Sequence, residues 1–223
     1  MARRTYAAAA PAQALIPNPE NDMKLSPTRL LHTTLFLSAV LTVAPLLHAQ
    51  AASQAITMHI DPATTEIHWT LNGNTHTVHG TFKLKGGLIT FDPSTGVAQG
   101  EIAVDLATGE SGNTSRDSRM QKDVLESEKY PQAIFHPTKV TGAVKSGSTQ
   151  SVTVDGTFTI HGKDHPLKLD AKVQVEGSNA VATTHFTVPY VEWGMKDPSN
   201  FLFRVDKTVD LEISAKGAIE GVR

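Results

Sequence analysis

An all-β fold is predicted by three features of this 223-residue sequence. Apolar and polar residues alternate with a period of two in most segments after Ile56, as they do in strands that bury one face of a sheet. The connections between these segments are short and rich in Gly, Asn, Asp and Pro. Only the stretch after Asn113 has a helical spacing of apolar residues. About eight or nine strands and one helix are therefore expected, which fits either a β-sandwich or an up-and-down barrel.

The early strands carry the alternation most clearly. Trp69 lies on the apolar phase of one strand, and Val78 and Phe82 lie on that of the next. Gly86–Gly87 predicts a tight hairpin, because glycine tolerates a positive φ, and residues 88–91 are expected to return as a strand ending in Phe91. Ile102 lies on the apolar phase of the strand after that. Residues 72–75, Asn-Gly-Asn-Thr, interrupt the pattern and are expected at an end of the fold.

The central helix is predicted to begin at Asn113 or Thr114, whose short polar side chain can accept a bond from a free backbone N–H. Met120, Val124 and Leu125 then share one helical face. Pro131 ends the segment, and residues 132–136 form a strand that contains Phe135.

The adjacent pair Arg116 and Asp117 has two interpretations. Neighbouring residues on a helix point about 100° apart, so the two side chains do not face one target together. In the structural interpretation, Arg116 fastens the helix to an end of the fold and Asp117 helps to satisfy the helix start. In the functional interpretation, Arg116 contacts the polar head of a ligand.

The later strands continue the alternation and end in a long irregular segment. Phe158 lies on the apolar phase of its strand, a turn is predicted over residues 161–166, and Phe186 is assigned inward although its neighbours allow the opposite phase. Residues 189–204 have no clean period but hold much apolar area, which must be buried under the fold or at an opening. This segment is either a gate over a binding site or a plug, and it contributes Trp193, Met195, Phe201, Leu202 and Phe203.

Composition excludes several classes of function. The chain has no cysteine, so it forms no disulfide and has neither a thiolate nucleophile nor the cysteine of a lipoprotein. A formal net charge of -2 argues against a nucleic-acid binder. The sequence contains no nucleophile elbow, phosphate loop or zinc-protease motif, so no enzymatic activity is expected.

The histidines are interpreted as structural or solvent-facing residues. His76 and His79 are three residues apart, which places them on opposite faces of a strand, so both cannot hold one ion. His161 and His165 flank a turn and can approach each other. A metal site assembled across strands remains open at this point.

The N-terminal 51 residues are not expected to belong to the fold. Residues 23–51 have a positive region, an apolar run and the small-x-small pattern Ala49-Gln50-Ala51, as in a signal peptide. Residues 1–22 precede this complete signal and are interpreted as a disordered extension from a start codon assigned too early. We therefore expect export to the periplasm, with residues 52–223 forming one domain.

Several motifs together resemble a known family. The central one reads Asn-x-x-Arg-Asp, an apolar pair, Lys-Tyr-Pro and an Ala-x-Phe strand. Flanking motifs are Val-x-Gly-x-Phe at 78–82, Ile-Thr-Phe-Asp at 89–92, Gly-x-Phe-x-Ile-His-Gly at 156–162 and Trp-Gly at 193–194. In this order, between about Ile56 and Gly217, they resemble the YceI-like family of bacterial secreted proteins. The residues of the central motif are Asn113, Arg116, Asp117, Val124, Leu125, Lys129, Tyr130, Pro131, Ala133 and Phe135.

The resemblance implies an eight-stranded antiparallel lipocalin-like β-barrel with one helix at a barrel end. It also implies binding of a polyisoprenoid lipid in the barrel interior, of the quinone or polyprenyl type, without a cofactor. Transient contact with a membrane and a homodimer are compatible with this interpretation. Two alternative functions stay open: a stress-related protein that binds a partner and no lipid, and a metal-handling protein that uses the histidines. The expected ligand-binding residues are Trp69, Val78, Phe82, Phe91, Ile102, Phe135, Phe158, Phe186, Trp193, Met195, Phe201, Phe203 and Arg116.

Overall fold

The computed structural model describes residues 54–222. The predicted extension (residues 1–22) and signal peptide (residues 23–51) lie outside the described residues and stay predictions. Within residues 54–222, no helix has both the length and the apolar character needed to cross a membrane.

The described chain consists mostly of strands. One short helix, α1 (Thr114–Arg119), is continued by a π-helical turn over Met120–Val124. The strands are β1 (Ile56–Ile60), β2 (Glu66–Leu71), β3 (Val78–Phe91), β4 (Ala98–Glu110), β5 (Gln132–Thr141), β6 (Thr149–Ile160), β7 (Lys163–Glu176), β8 (Asn179–Val188) and β9 (Val209–Glu220).

Two short strands share one position in the barrel. Both β1 and β2 pair with β3 and with β9, β1 along the half of β3 that ends at Phe91 and β2 along the half that begins at Val78. The chain turns between them at Asp61, whose carboxylate accepts bonds from the Ala63 amide at 2.9 Å and the Thr64 hydroxyl at 3.1 Å. The other strands pair in chain order. The nine strands thus close an antiparallel barrel with eight strand positions, which confirms the predicted fold.

The connections divide the barrel into two different ends. The end that we call the helix end carries the connections after β2, β4, β6 and β8, which include α1, residues 72–77 and the late loop, residues 189–208. The predicted position of residues 72–75 at a barrel end is confirmed. The opposite end, the terminal end, carries the turns after β3, β5 and β7 and both termini of the domain. A cluster that includes Phe91, Val175 and Ile219 fills the terminal end with buried apolar side chains.

The predicted hairpin at Gly86–Gly87 is wrong, because β3 runs through both glycines without turning. The pairing of β3 with β4 shifts register between Leu84 and Gly86, so the glycines mark an irregularity inside a long strand. Gly87 also lies against Ile60, and a Cβ at Gly87 would come within 3.0 Å of that side chain. Gly87 therefore reflects close packing against Ile60 and not a turn.

The turn between β6 and β7 is shorter than the sequence predicted. It consists of His161 and Gly162 alone, with φ values of 51° and 72°, and β7 begins at Lys163. Two consecutive positive φ values are typical of the two-residue turns that match the twist of a hairpin.

The predicted start of the helix is confirmed. The Asn113 side chain accepts a bond from the Arg116 amide at 3.0 Å and so caps the first turn. The helical stretch ends at Leu125, before Pro131, and Glu126 follows with a φ of 46°. Met120, Val124 and Leu125 face the inside of the barrel end, as the helical spacing indicated.

Candidate functional site

Two adjoining cavities lie inside the barrel. The larger one, of about 720 Å³, begins at the helix end, and the smaller one, of about 120 Å³, lies deeper. Six side chains line both cavities and separate one from the other, so the two cavities are neighbours inside the barrel. The shared residues are Ile67, Val104, Ala133, Phe158, Phe186 and Ile213.

The deeper cavity is lined almost completely by apolar side chains. Thr65 and Thr184 are its only polar lining residues within the described part of the chain. Several of its walls are alanines, and Ala182 lies in register with Ala215 on β9 and with Val173 on β7. Such a lining offers no partner to a polar group and is suited to a hydrocarbon chain.

The mouth of the larger cavity is polar and contains both signs of charge. Arg116, Arg119 and Lys196 line it together with Asp123 and Asp197. None of the three cations forms an ion pair with a carboxylate of residues 54–222. The cavity thus changes from an apolar interior to a rim with unpaired positive charge, an arrangement that fits an amphipathic ligand.

Arg116 holds the helix to the end of β4. Its Nε donates to the Ser111 hydroxyl at 2.7 Å, and its Nη2 donates to the Ser111 carbonyl at 2.9 Å. The Asp117 carboxylate accepts a bond from the same hydroxyl. The structural interpretation of the pair is therefore supported, while Arg116 also lines the cavity mouth.

The late loop covers part of the helix end and is anchored by buried side chains. Tyr190 donates its hydroxyl hydrogen to the Asp206 carbonyl at 2.8 Å, and Met195 is 3% exposed. Burial, helped by the nearby Asp197 and Asp206, raises the pKa of Tyr190 to about 12. The phenol therefore stays neutral and keeps donating this bond throughout the physiological pH range.

Comparison with known proteins identifies the domain. Residues 58–217 match the YceI-like domain. The chain belongs to the YceI-like family. A UPF0312 protein of Pseudomonas putida strain W619 is 33% identical over 153 residues, which cover 63% of this chain and 73% of that protein. Protein YceI of Escherichia coli O6:H1 is 32% identical over 104 residues, which cover 46% of this chain and 52% of that protein.

Solved structures show the same barrel. Burkholderia cenocepacia BcnA matches with a TM-score of 0.57 at 19% identity, covering 71% of this chain and 99% of that one. A polyisoprenoid binding domain from Saccharophagus degradans matches with a TM-score of 0.54 at 15% identity, covering 72% of this chain and 98% of that one. These likenesses confirm the barrel architecture of the YceI-like domain.

Most of the residues expected to bind ligand lie on the cavity walls of this YceI-like domain. Contact of these side chains with a ligand stays a prediction. The wall residues from the predicted set are Trp69, Val78, Phe82, Ile102, Phe135, Phe158, Phe186, Met195, Phe203 and Arg116.

Three of the predicted residues do not line either cavity. Phe91 is buried, but it packs into the cluster that fills the terminal end. Trp193 stacks on His165, with ring centroids 4.0 Å apart, and contacts Phe158 at 6.0 Å. Phe201 is 92% exposed, so the expected burial of the late loop's apolar area does not extend to this side chain. The turn built around Asn200 carries Phe201 on its outer side, which the irregular sequence did not indicate.

Two cations of the mouth, Arg119 and Lys196, are not among the residues predicted from the sequence. Arg119 lies one helical turn after Arg116, so the i, i+3 spacing was a usable signal. Lys196 follows the buried Met195 in a segment without a period, and no sequence pattern places it at the mouth.

The histidines beside the β6–β7 turn contact aromatic rings. His161 lies 4.5 Å from Tyr130 between ring centroids, and His165 packs against Trp193. Burial, aided by Lys163, lowers the pKa of His165, so its ring is neutral in this stack at neutral pH. Within residues 54–222, no group of three or more His, Asp or Glu side chains is arranged to hold a metal ion.

We expect Trp193→Ala to lower the stability of the ligand-free protein by roughly 3 kcal/mol, because it removes a large ring packed on Phe158 and His165. Since Trp193 does not line a cavity, the affinity for a ligand that occupies the cavities should change less than about threefold once unfolding is corrected for. Urea unfolding curves and titrations with an amphipathic ligand on the same ligand-free samples measure both quantities. A large loss of affinity with unchanged stability would instead support a gate that moves around Trp193.

Proposed function

We propose that this YceI-like protein binds a long-chain isoprenoid lipid, of the quinone or polyprenyl type, inside its barrel and carries or sequesters it in the periplasm. The observation that carries the proposal is the pair of adjoining cavities, which join an apolar interior to a polar mouth. A long isoprenoid has this same division between an apolar tail and a polar head. The barrel likeness to a polyisoprenoid binding domain from Saccharophagus degradans supports the same ligand class.

The energetics allow such binding without strong head-group contacts. Burial of each CH₂ contributes ~0.8 kcal/mol, so ten carbons give about 8 kcal/mol before costs. Association and ordering of the chain oppose part of this gain. Since a Kd of 1 μM corresponds to about 8.2 kcal/mol after all costs, micromolar binding from the tail alone requires that more than ten carbons are buried. Binding of this kind needs no catalytic step.

Native mass spectrometry of the protein purified from its own cells tests the proposal. We expect an added mass that dissociates as an isoprenoid lipid. A bound metal would support a metal-handling protein instead, and a ligand-free protein that also rejects added isoprenoids would support a partner-binding barrel. The Ala182→Phe variant described in the Discussion serves as the matched control, because it fills the deeper cavity.

The periplasmic location has its own test. Cleavage after Ala51 predicts a mature N-terminus near Ala52, which N-terminal sequencing of the periplasmic fraction measures. Recovery of the uncleaved chain from the inner membrane would contradict export as a soluble carrier.

A further inference from the structure

Three consecutive apolar residues are exposed beside the mouth of the larger cavity. Phe201, Leu202 and Phe203 have 92%, 67% and 53% of their surface exposed. We call residues 201–203 the apolar tip. A continuous exposed patch of two phenylalanines and a leucine is unusual on a protein surface and marks a place of contact.

Hydrogen bonds build the apolar tip as a defined turn. The Asn200 side chain accepts bonds from the backbone amides of Leu202 and Phe203 at 2.9 and 2.8 Å. The backbone amide of Asn200 donates to the Phe203 carbonyl at 2.8 Å. The Leu202 and Phe203 backbone amides and the Phe203 carbonyl are thus bonded within the turn, while the Phe201 and Leu202 side chains remain exposed. The fold therefore presents these two side chains outward from a hydrogen-bonded turn.

The loop between β2 and β3 fixes this turn to the barrel. The Asn74 side chain accepts a bond from the backbone amide of Arg204 at 3.0 Å, and the backbone amide of Asn74 donates to the Arg204 carbonyl at 2.9 Å. Gly73 forms a β-bridge with Val205, one residue further along. The apolar tip is consequently held at one place on the rim of the helix end.

The apolar tip is continuous with the cavity and adjoins positive charge. Phe203 lines the larger cavity while remaining half exposed, so the apolar surface runs from the interior to the tip. Three lining cations stand at the same mouth, and Arg204 directly follows the tip. Asp123 and Asp197 line the mouth as well, so its charged lining side chains sum to +1, and Arg204 adds a further positive charge beside the tip.

We propose that the apolar tip inserts into the interface of a phospholipid bilayer with anionic headgroups, so that the cavity mouth opens onto the membrane. The proposal rests on the proposed function, since a carrier of isoprenoids must exchange them with a bilayer. An exposed tip of aromatic and aliphatic side chains beside a mouth with an excess of cations matches the two components of interfacial binding, apolar insertion and attraction to anionic lipid. A protein partner would be expected to bind a groove or a broader surface, and it forms an alternative outcome of the test.

Flotation with vesicles of phosphatidylethanolamine and phosphatidylglycerol tests the insertion, with the protein in its natural processed form. We expect Phe201→Ser combined with Leu202→Ser to weaken vesicle binding about tenfold or more, because the apolar contribution is removed. Val97→Ser is the matched control for Leu202→Ser alone: Val97 is 65% exposed, close to the value for Leu202, but lies at the terminal end. Equal losses in both single variants, or no loss in the double variant, would overturn the proposal.

Two further measurements separate this proposal from the proposed function. Isoprenoid delivered from ethanol without vesicles should bind the double serine variant as tightly as the parent protein, because both substituted side chains lie off the cavity walls. Phe201→Trp should be quenched by brominated lipids in vesicles, and absence of extra quenching over the parent protein would overturn insertion. If the parent protein binds vesicles through the tip but takes up no isoprenoid, the proposed function fails and the docking surface stands. If the tip substitutions leave vesicle binding unchanged but abolish capture of a protein partner, the apolar tip binds that partner and not the bilayer.

Discussion

Phe158→Asp is expected to destabilise the folded protein by roughly 4 kcal/mol or more, the largest stability effect among the substitutions considered. Phe158 is 8% exposed and lines both cavities, with Phe186 at 6.3 Å between ring centroids in an edge-to-face arrangement. The substitution removes apolar burial worth about 1.5–3 kcal/mol and leaves a carboxylate without a partner in an apolar interior. Urea unfolding of the delipidated protein measures the loss.

The matched control is Val181→Asp, which places the same carboxylate on the outer face of β8. Val181 is 36% exposed, so its substitution should cost less than about 1 kcal/mol. Phe158→Leu keeps the interior apolar and should fold even if the aspartate variant does not. A Phe158→Asp protein as stable as the Val181→Asp protein would contradict the inward position of Phe158.

The parts of the fold that sequence predicted depend on local regularity. The inward phase of Phe186 followed from the alternation along β8, although its threonine neighbours made it the weakest assignment. Asn113 was recognised as a helix cap because capping depends on a few adjacent residues. Such features need no knowledge of distant partners.

The parts that sequence did not predict depend on contacts between distant segments. Gly86–Gly87 has the composition of a hairpin, but the pairing of β3 with β4 and the contact with Ile60 decide its conformation. Likewise, β1 and β2 occupy one barrel position because both find partners on β3 and β9. Neither outcome can be inferred from the alternation of apolar and polar residues in the local sequence.

The candidate site shows the same division. Strand periodicity placed the apolar wall, including Phe82, Phe135 and Phe158. The late loop has no regular periodicity, so the sequence could not separate Phe203, which is half exposed and lines the larger cavity, from the fully exposed Phe201. The mouth combines Arg119 from the helical stretch with Lys196 from that loop, and only the closed barrel end brings them to one rim.

The second large effect is expected in ligand binding from Ala182→Phe, which should weaken binding of a long-tailed isoprenoid quinone about 100-fold. Ala182 lines the deeper cavity of about 120 Å³, close to the size of engineered cavities (~150 Å³) that bind a benzene ring. The new ring would therefore occupy the space proposed for the end of the tail. Excluding three or four carbons removes about 2.4–3.2 kcal/mol of burial, which corresponds to roughly a hundredfold change in Kd.

The expected signature of Ala182→Phe is dependence on tail length. A short-tailed quinone that fills only the larger cavity should bind the variant and the parent protein equally, because the mouth and its cations are unchanged. Val181→Phe, one residue away on the outer face, is the control for the added ring and should leave both affinities unchanged. Overpacking is expected to cost about 1–3 kcal/mol, so unfolding curves must confirm that the variant is folded during the titration. Equal weakening of long and short tails would show that the deeper cavity does not hold the end of the tail.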